Sequence, residues 1–369
     1  MKFDCNKQDL CEAIGNVSKA TAVKSTITAL EGIKIKINGN IMQLTGYDLE
    51  LGIKTDIAVN SDEDGEFVIS SKLFNDIIRK MPSERIFIEV DDNLGTSITD
   101  GNVTNYDIRS ISSEEYPELP EFDNEGCFKI SQSTLKNMIN QTIYSVAVTD
   151  NKPILTGELF DIEDGQFNLV AIDGFRLAVR TEKISSATDY NFVVPAKALR
   201  EISALLKEDG DDECTISVSK KHIIFDISGY KVISRLLEGE YHNYKSSIPA
   251  NSQTEVIIKT KDFIQSLDRC SLIINDKIKP PVICNFDNGS LKISCTTSIG
   301  KFNDAFPIEI TGPAVNIGFN CKFLLDALKA TESDKVKILM NGGLSPIKIV
   351  PLEGNEYTFL VLPVRLRAE

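Results

Sequence analysis

The side chains that could hold a metal ion or act as nucleophiles are two acidic clusters and eight cysteines. The clusters are Asp62-Glu63-Asp64 and the run from Asp209 to Glu213. In the contexts Ser-Asp-Glu-Asp-Gly and Glu-Asp-Gly-Asp-Asp-Glu they read first as solvated turns. Cys5, Cys11, Cys127, Cys214, Cys270, Cys284, Cys295 and Cys321 occur singly, without a C-x-x-C pair. Only His222 and His242 could supply imidazole. The cysteines are therefore expected to be reduced, buried thiols without a metal role. The chain has no G-x-x-x-x-G-K-[ST] loop for nucleotide phosphates, no G-x-S-x-G elbow and no H-E-x-x-H zinc motif. No catalytic residue, cofactor or metal is expected, and the protein reads as a non-enzyme. AIDGFRLAVR (Ala171 to Arg180) and YTFLVLPVRL (Tyr357 to Leu366) are rich in apolar side chains. Taken alone, the terminal Leu-Pro-Val reads first as an edge strand filling a core.

The elements that would position these segments repeat. GIKIKINGNIMQLTGYDLELGIK (from Gly32), GELFDIEDGQFNLVAIDGFRLAVR (from Gly157) and PVICNFDNGSLKISCTTSIGKF (from Pro281) share one pattern. Each is an alternating strand, a tight turn (Asn38-Gly39, Asp164-Gly165, Asn288-Gly289) and a returning strand. Asn-Gly and Asp-Gly supply the positive φ that two-residue hairpin turns demand. Each hairpin is preceded by a strand running into an amphipathic helix: MKFDCNKQDLCEAIGNVSKA, CFKISQSTLKNMINQTIYSVA and EVIIKTKDFIQSLDRCSLII. Leu10, Ile14 and Val17, then Leu135, Met138 and Ile139, then Phe263, Ile264 and Leu267 fall at helical spacing. The same strand-then-helix pattern returns at Glu66, Asn191 and Ala314. Glu-Tyr segments ending in proline, EEYPELP (Glu114 to Pro120) and GEYHNYKSSIP (Gly239 to Pro249), serve as linkers. The expected fold is α+β: three similar domains, at 1–121, 126–249 and 251–369, each a doubled helix plus antiparallel strands. A chain of pseudo-equivalent domains either closes into a ring or propagates.

Composition bounds the remaining choices. A chain of 369 residues with 42% hydrophobic and 25% charged content suits a globular protein of two or three domains. No stretch approaches the roughly 18 apolar residues of a membrane span, and the N-terminus lacks an apolar signal region. No membrane partner and a cytoplasmic location are expected. The net charge of −14 argues against nucleic acid until it is placed along the chain. The six helical segments (7–20, 71–80, 132–141, 195–207, 261–270 and 321–329) together carry +6, leaving −20 in strands and loops. Helices lining a hole inside an acidic skin would concentrate positive potential where DNA passes. Contacts would go to phosphates, without sequence preference. Lysines on the polar face of a helix are also what simple solvation produces.

The opening MKFDCNKQDL, the segment AIDGFRLAVR, the segment LLEGEYHNYKSSIP (Leu236 to Pro249) and the ending YTFLVLPVRL resemble the bacterial DNA polymerase III beta subunit family, the replicative sliding clamps, over essentially the full length. That resemblance implies a processivity factor, a homodimer of two chains joined head to tail, with helices facing duplex DNA and an ATP-dependent clamp loader to open it. It implies partners beyond DNA and the second chain: the replicative polymerase subunit, the loader, repair polymerases, and ligase or mismatch-repair proteins. These would dock short peptides in a groove between the second and third domains. The groove would be lined by Leu155, Ile172, Gly174, Phe175, Arg176, Leu177, His242, Leu344, Leu360, Leu362, Pro363, Val364 and Arg365. DNA would face Lys24, Lys72, Arg79, Lys80, Lys136, Lys197, Arg200, Lys207, Lys322 and Lys329, with Thr149 beside the hole. The subunit seam would pair Tyr106 and Ile108 with Leu272 and Ile273 of the partner subunit. The chain departs from the family at His242, Ser246 and Ser247, where proline and a basic or apolar residue are common, and in carrying Arg367, Ala368 and Glu369 past the usual end. The competing reading is an acidic, strand-rich interaction scaffold that never encircles DNA.

Overall fold

A computed structural model describes residues 1–120, 126–148, 152–185, 188–274 and 280–366. Thr149, Arg367, Ala368 and Glu369 lie outside the described residues. The first repeat runs β1 (Lys2–Asn6), α1 (Lys7–Val17), β2 (Gly32–Asn38), β3 (Ile41–Tyr47), β4 (Leu51–Ser61), β5 (Gly65–Ser70), α2 (Ser71–Lys80), β6 (Arg85–Val90), β7 (Gly95–Thr99) and β8 (Asn105–Arg109). The second runs β9 (Gly126–Ser131), α3 (Gln132–Thr142), β10 (Gly157–Glu163), β11 (Gln166–Ile172), β12 (Arg176–Lys183), β13 (Tyr190–Pro195), α4 (Ala196–Leu205), β14 (Glu213–Val218), β15 (His222–Ile227) and β16 (Tyr230–Arg235). The third has β17 (Thr254–Lys259), α5 (Thr260–Ser271), β18 (Val282–Asp287), β19 (Ser290–Thr296), β20 (Lys301–Pro307), a short extra β21 (Glu309–Thr311), β22 (Val315–Phe319), α6 (Cys321–Lys329), β23 (Lys335–Met340), β24 (Ile347–Val350) and β25 (Tyr357–Val361).

Local chemistry accounts for these elements. Ile33, Ile35 and Ile37 of β2 are buried while Lys34 and Lys36 point the other way, the period-2 alternation of a half-buried strand. Helix α1 begins where Asn6 Oδ1 accepts hydrogen bonds from the Gln8 and Asp9 amides, and it buries Leu10, Ala13, Ile14 and Val17. Asn320 caps α6 the same way through Lys322 and Phe323. Two of the three hairpin turns form on the expected pairs, with positive φ at Asp164-Gly165 and at Asn288-Gly289. The first does not: Asn38 pairs with Ile41, so Gly39-Asn40 is the turn, with positive φ at its first position only. A fourth such turn, Ser228-Gly229, joins β15 to β16.

The chain forms two compact units. The first comprises Met1–Ser133 with Ala198–Leu236, and the second Thr134–Lys197 with Leu237–Glu369. In the first, β8-β7-β6-β1-β4-β16-β15-β14-β9 form one path of a sheet that β2, β3 and β5 extend. In the second, β13-β10-β11-β12-β25-β24-β23-β17-β21 form one sheet and β20-β19-β18-β22 another. Phe263, Leu267, Phe286, Phe319, Leu324 and Phe359 are fully buried in the second unit's main core, each contributing about 2–3 kcal/mol by leaving water.

Three sequence expectations need correction. Helix α4 ends at Leu205, so Lys207 lies beyond it, its ammonium 2.6 Å from Asp212. Lys19 lies past the end of α1, in a 3-10 turn at Ser18–Ala20. The cysteines are all free thiols, but Cys127 is exposed and Cys11 half-buried, because each sits at a position of its element facing away from the core.

Candidate functional site

The groove residues are positioned by three adjacent strands of the second unit. Ile172 on β11 stands opposite Leu177 on β12, and Leu177 stands opposite Leu360 on β25. These three join one apolar cluster, with Leu155 packed against its edge from the 3-10 turn Pro153–Thr156. Strand alternation places their side chains on one face.

The turn from β11 to β12 needs Asp173 and Gly174. Asp173 Oδ1 accepts from the Phe175 amide at 2.9 Å and the Arg176 amide at 3.0 Å, while Gly174 takes φ of +89°. That turn pushes Phe175 out, leaving it 61% exposed, and turns Arg176 in, leaving it 7% exposed. Arg176 Nε donates to Asp173 Oδ2 at 3.0 Å and an η-nitrogen to Asp326 Oδ2 at 2.7 Å. Its guanidinium carbon lies 4.5 Å from the centre of the Phe323 ring and 5.3 Å from that of Tyr144. Phe175 stacks on the same Phe323 at 6.0 Å. A buried guanidinium thus has two carboxylates and two ring faces, and the exposed Phe175 leans on the cage around it.

The C-terminal segment completes the surface. Leu362 donates its amide to the Phe175 carbonyl at 2.9 Å, and Val364 donates to Gly318 at 2.8 Å. Leu362 and Val364 are each 39% exposed, with Pro363 and Arg365 beside them. His242 is exposed, and its Nε2 lies 3.0 Å from Ser247 Oγ. Leu344, 80% exposed, stands in the loop between β23 and β24. Phe175, Leu344, Leu362 and Val364 are thus the exposed apolar side chains of this set, and Ile172, Leu177 and Leu360 are its buried ones. Nothing in the sequence marks Tyr144, Phe323 or Asp326 as the partners of Arg176. The Asp-Gly pair signals the turn at Asp173, whereas no local pattern links Asp326 to an arginine 150 positions away.

The basic positions are largely open to solvent. Lys24, Lys72, Arg79, Lys80, Lys197, Arg200, Lys207, Lys322 and Lys329 are exposed and Lys136 is half-buried. Lys329 pairs with Asp268 at 3.2 Å, as Lys207 does with Asp212. Lys24, Lys72, Arg79, Lys80, Arg200 and Lys322 have no ion pair among the described residues. Of the seam positions, Tyr106 is 38% and Leu272 80% exposed. Ile108 is half-buried on β8, and Ile273 packs on the second unit's main core. The acidic clusters are solvent-facing turns: Asp64 accepts from the Gly39 amide and Glu63 meets the N-terminal ammonium at 2.9 Å. Among the described residues no three His, Cys, Asp or Glu side chains are placed to hold a metal, and no helix is long and apolar enough to cross a membrane.

A thrice-repeated α+β chain with apolar side chains exposed beside a strand joint is the class defined by this fold. Three family descriptions match successive parts: DNA polymerase III beta subunit, N-terminal domain at residues 1–120, central domain at 129–243 and C-terminal domain at 245–365. A beta sliding clamp from Bacillus subtilis is 32% identical over 378 residues, covering 99% of this chain and all of that one. The crystal structure of the DNA polymerase sliding clamp from Bacillus subtilis matches with a TM-score of 0.96 at 32% identity over 100% of both chains. That of a putative DNA polymerase III beta subunit from Eubacterium rectale matches at 0.94 and 33%, over 99% of both. The chain belongs to the DNA polymerase III beta subunit family.

Proposed function

We propose that this chain is the sliding clamp of a bacterial replicase: a non-catalytic processivity factor that closes as a head-to-tail dimer around duplex DNA and tethers polymerases through its groove. The carrying observation is a strand joint used twice in one register. On β16 and β4, Ser234 stands opposite Leu51, Ile233 opposite Gly52 and Val232 opposite Ile53. On β25 and β12, Val361 stands opposite Arg176, Leu360 opposite Leu177 and Phe359 opposite Ala178. Equivalent turns precede the receiving strands: the Asp48, Asp173 and Thr297 amides donate to the Leu51, Arg176 and Gly300 carbonyls. Equivalent bridges follow the donor strands, at Ile111, Leu237 and Val364. The two strands of these sets without such a partner are β8 and β20. Continuing the register across two copies sets Ile108 opposite Gly300 of the partner subunit, Asp107 opposite the partner's Lys301 and Tyr106 opposite the partner's Phe302. Those pairs join unlike charges and two aromatic rings, both favourable across strands, and the same heterologous contact made at both seams closes a ring of two copies.

In this reading residues 1–121, 126–249 and 251–369 are the three domains, and Lys24, Lys72, Arg79, Lys80, Lys136, Lys197, Arg200, Lys207, Lys322 and Lys329 face the DNA. The groove from Leu155 to Arg365 receives peptides of the replicative polymerase, the clamp loader, repair polymerases, ligase and mismatch-repair proteins, in the cytoplasm. An ATP-driven loader opens the ring. Molar mass in solution tests the closure. The expected result is a dimer weakened at least 10-fold by Asp107→Lys or by Lys301→Asp, both at exposed positions, and restored when the two changes are combined. A chain that is monomeric throughout, or a dimer indifferent to both changes, would reject this seam.

A further inference from the structure

We propose that the joint between β4 and β16 carries a second binding site, for an extended acidic peptide. The two joints use the same rows of residues with opposite chemistry. Across β10, β11, β12 and β25 one row reads Leu159, Val170, Val179, Thr358. Across β2, β3, β4 and β16 the matching row reads Lys34, Thr45, Lys54, Lys231. The apolar row is covered by the chain itself, with Tyr241 and Tyr244 packed into its cluster. The basic row lines an open cavity of about 330 Å³, joined by Lys36 and backed by Tyr116, Leu119, Ile224 and Ile233.

The lining of this cavity is basic, with Lys34, Lys36, Lys54 and Lys231 against the carboxylate of Glu118. Lys34, only 13% exposed, meets Glu66 at 3.6 Å and Glu118 at 2.9 Å. Lys36, Lys54 and Lys231 have no ion pair among the described residues. Lys54 and Lys231 stand directly opposite each other, a pair of like charges that a bound anion would relieve, with Asp226 opposite Lys231 on its other side. In a chain of net charge −14 this cluster is a local reversal.

The chain's own linker shows what chemistry the surface accepts. Glu118 puts its carboxylate on Lys34 while Leu119 lies so close over Gly52 that any side chain there would collide with it. Tyr116 anchors the segment by donating its hydroxyl to the Thr45 carbonyl at 3.1 Å. Acidic and leucine side chains of the linker are thus already seated on this face, at Lys34 and at Gly52, and Lys36, Lys54 and Lys231 line the same cavity beside them. Apolar backing beneath the ammonium groups suits alternating side chains of a peptide, giving affinity from charge and register from the apolar anchors.

The test uses a fluorescently labelled peptide of three glutamates, one leucine and three glutamates, titrated with the intact protein. Binding should weaken at least 10-fold in Lys231→Glu and a few-fold in Lys36→Gln, and should weaken as salt rises. Lys231→Glu makes an unlike pair with Lys54 but sets a second carboxylate across from Asp226, so Lys231→Gln, which removes the charge without that repulsion, is the control for the fold: its thermal midpoint should not fall while its binding weakens. Peptide affinity unchanged in Lys231→Glu, or no binding to the wild-type protein, would overturn the proposal. So would a short DNA duplex that displaces the peptide and loses affinity equally in Lys231→Glu, since the row would then belong to nucleic acid.

Discussion

Arg176 holds a full positive charge nearly out of solvent, between the Phe323 and Tyr144 rings and the Asp173 and Asp326 carboxylates. Removing one partner of a buried ion pair is far more damaging than the pair is stabilising, because the remaining charges lose their compensation. Arg176→Ala should cost about 3 kcal/mol in urea unfolding and weaken groove peptides, since Phe175 leans on the same Phe323 ring. Arg176→Lys should recover little of either, lacking the planar fork and the stacking surface. A loss of stability below about 1 kcal/mol, typical of an exposed pair, would show that the cage is not held this way.

Asp304 on β20 is a second residue whose charge is set by its neighbours. The Arg269 guanidinium hydrogen-bonds its carboxylate and holds its pKa below the ordinary value, against a smaller opposing effect of burial. A carboxylate whose folded pKa is depressed stabilises the fold above its unfolded pKa of about 3.9, and loses that contribution as pH falls through the folded value. Arg269→Ala should therefore lower the thermal midpoint at neutral pH, with the gap to wild type closing in acid. A gap that stays constant from neutral pH down to about pH 3 would contradict the assignment. At this scale the sequence was least legible. It placed Arg176 in the groove by resemblance, yet it counted Asp326 only as one more helix charge, and it read Cys127 as buried because a cysteine carries no sign of which way a strand faces.

At the scale of elements, spacing did most of the work. Alternation in GIKIKIN and the apolar triads of the helices mark buried faces directly, and Asp164-Gly165 and Asn288-Gly289 mark their turns because positive φ restricts residue choice. The first turn slid by one residue because Gly39 also satisfies a turn with positive φ at its first position alone. Two glycines allow a paired test of packing. Gly15 within α1 has open space where a Cβ would sit, whereas a Cβ on Gly46 would lie 2.2 Å from the Val17 carbonyl oxygen. Gly15→Ala should stabilise by about 0.5–1 kcal/mol through helix propensity. Gly46→Ala should destabilise, by about 1–3 kcal/mol as overpacked sites do. Equal effects on the denaturant midpoint would mean that α1 does not press on β3 as described.

At the scale of the molecule, the threefold repeat was legible because the same turn and strand signals recur, while the register of the joints was not, since pairing between distant strands leaves no mark in either strand alone. Charge placement was legible only in part: the helices carry the basic excess, but Lys207 falls outside α4 and pairs with Asp212, and Lys329 pairs with Asp268. The proposed closure between copies rests on two joints in one register and on β8 and β20, the two strands of these sets left without that partner. Closure has a topological consequence that no surface-binding scaffold shares. The decisive measurement is retention on DNA after loading onto a nicked circular plasmid, followed by cutting the circle with a restriction enzyme. The protein should stay on the intact circle through gel filtration and leave once ends are created, at a rate governed by sliding. Loss from circular and linear DNA at the same rate would contradict a ring around the duplex.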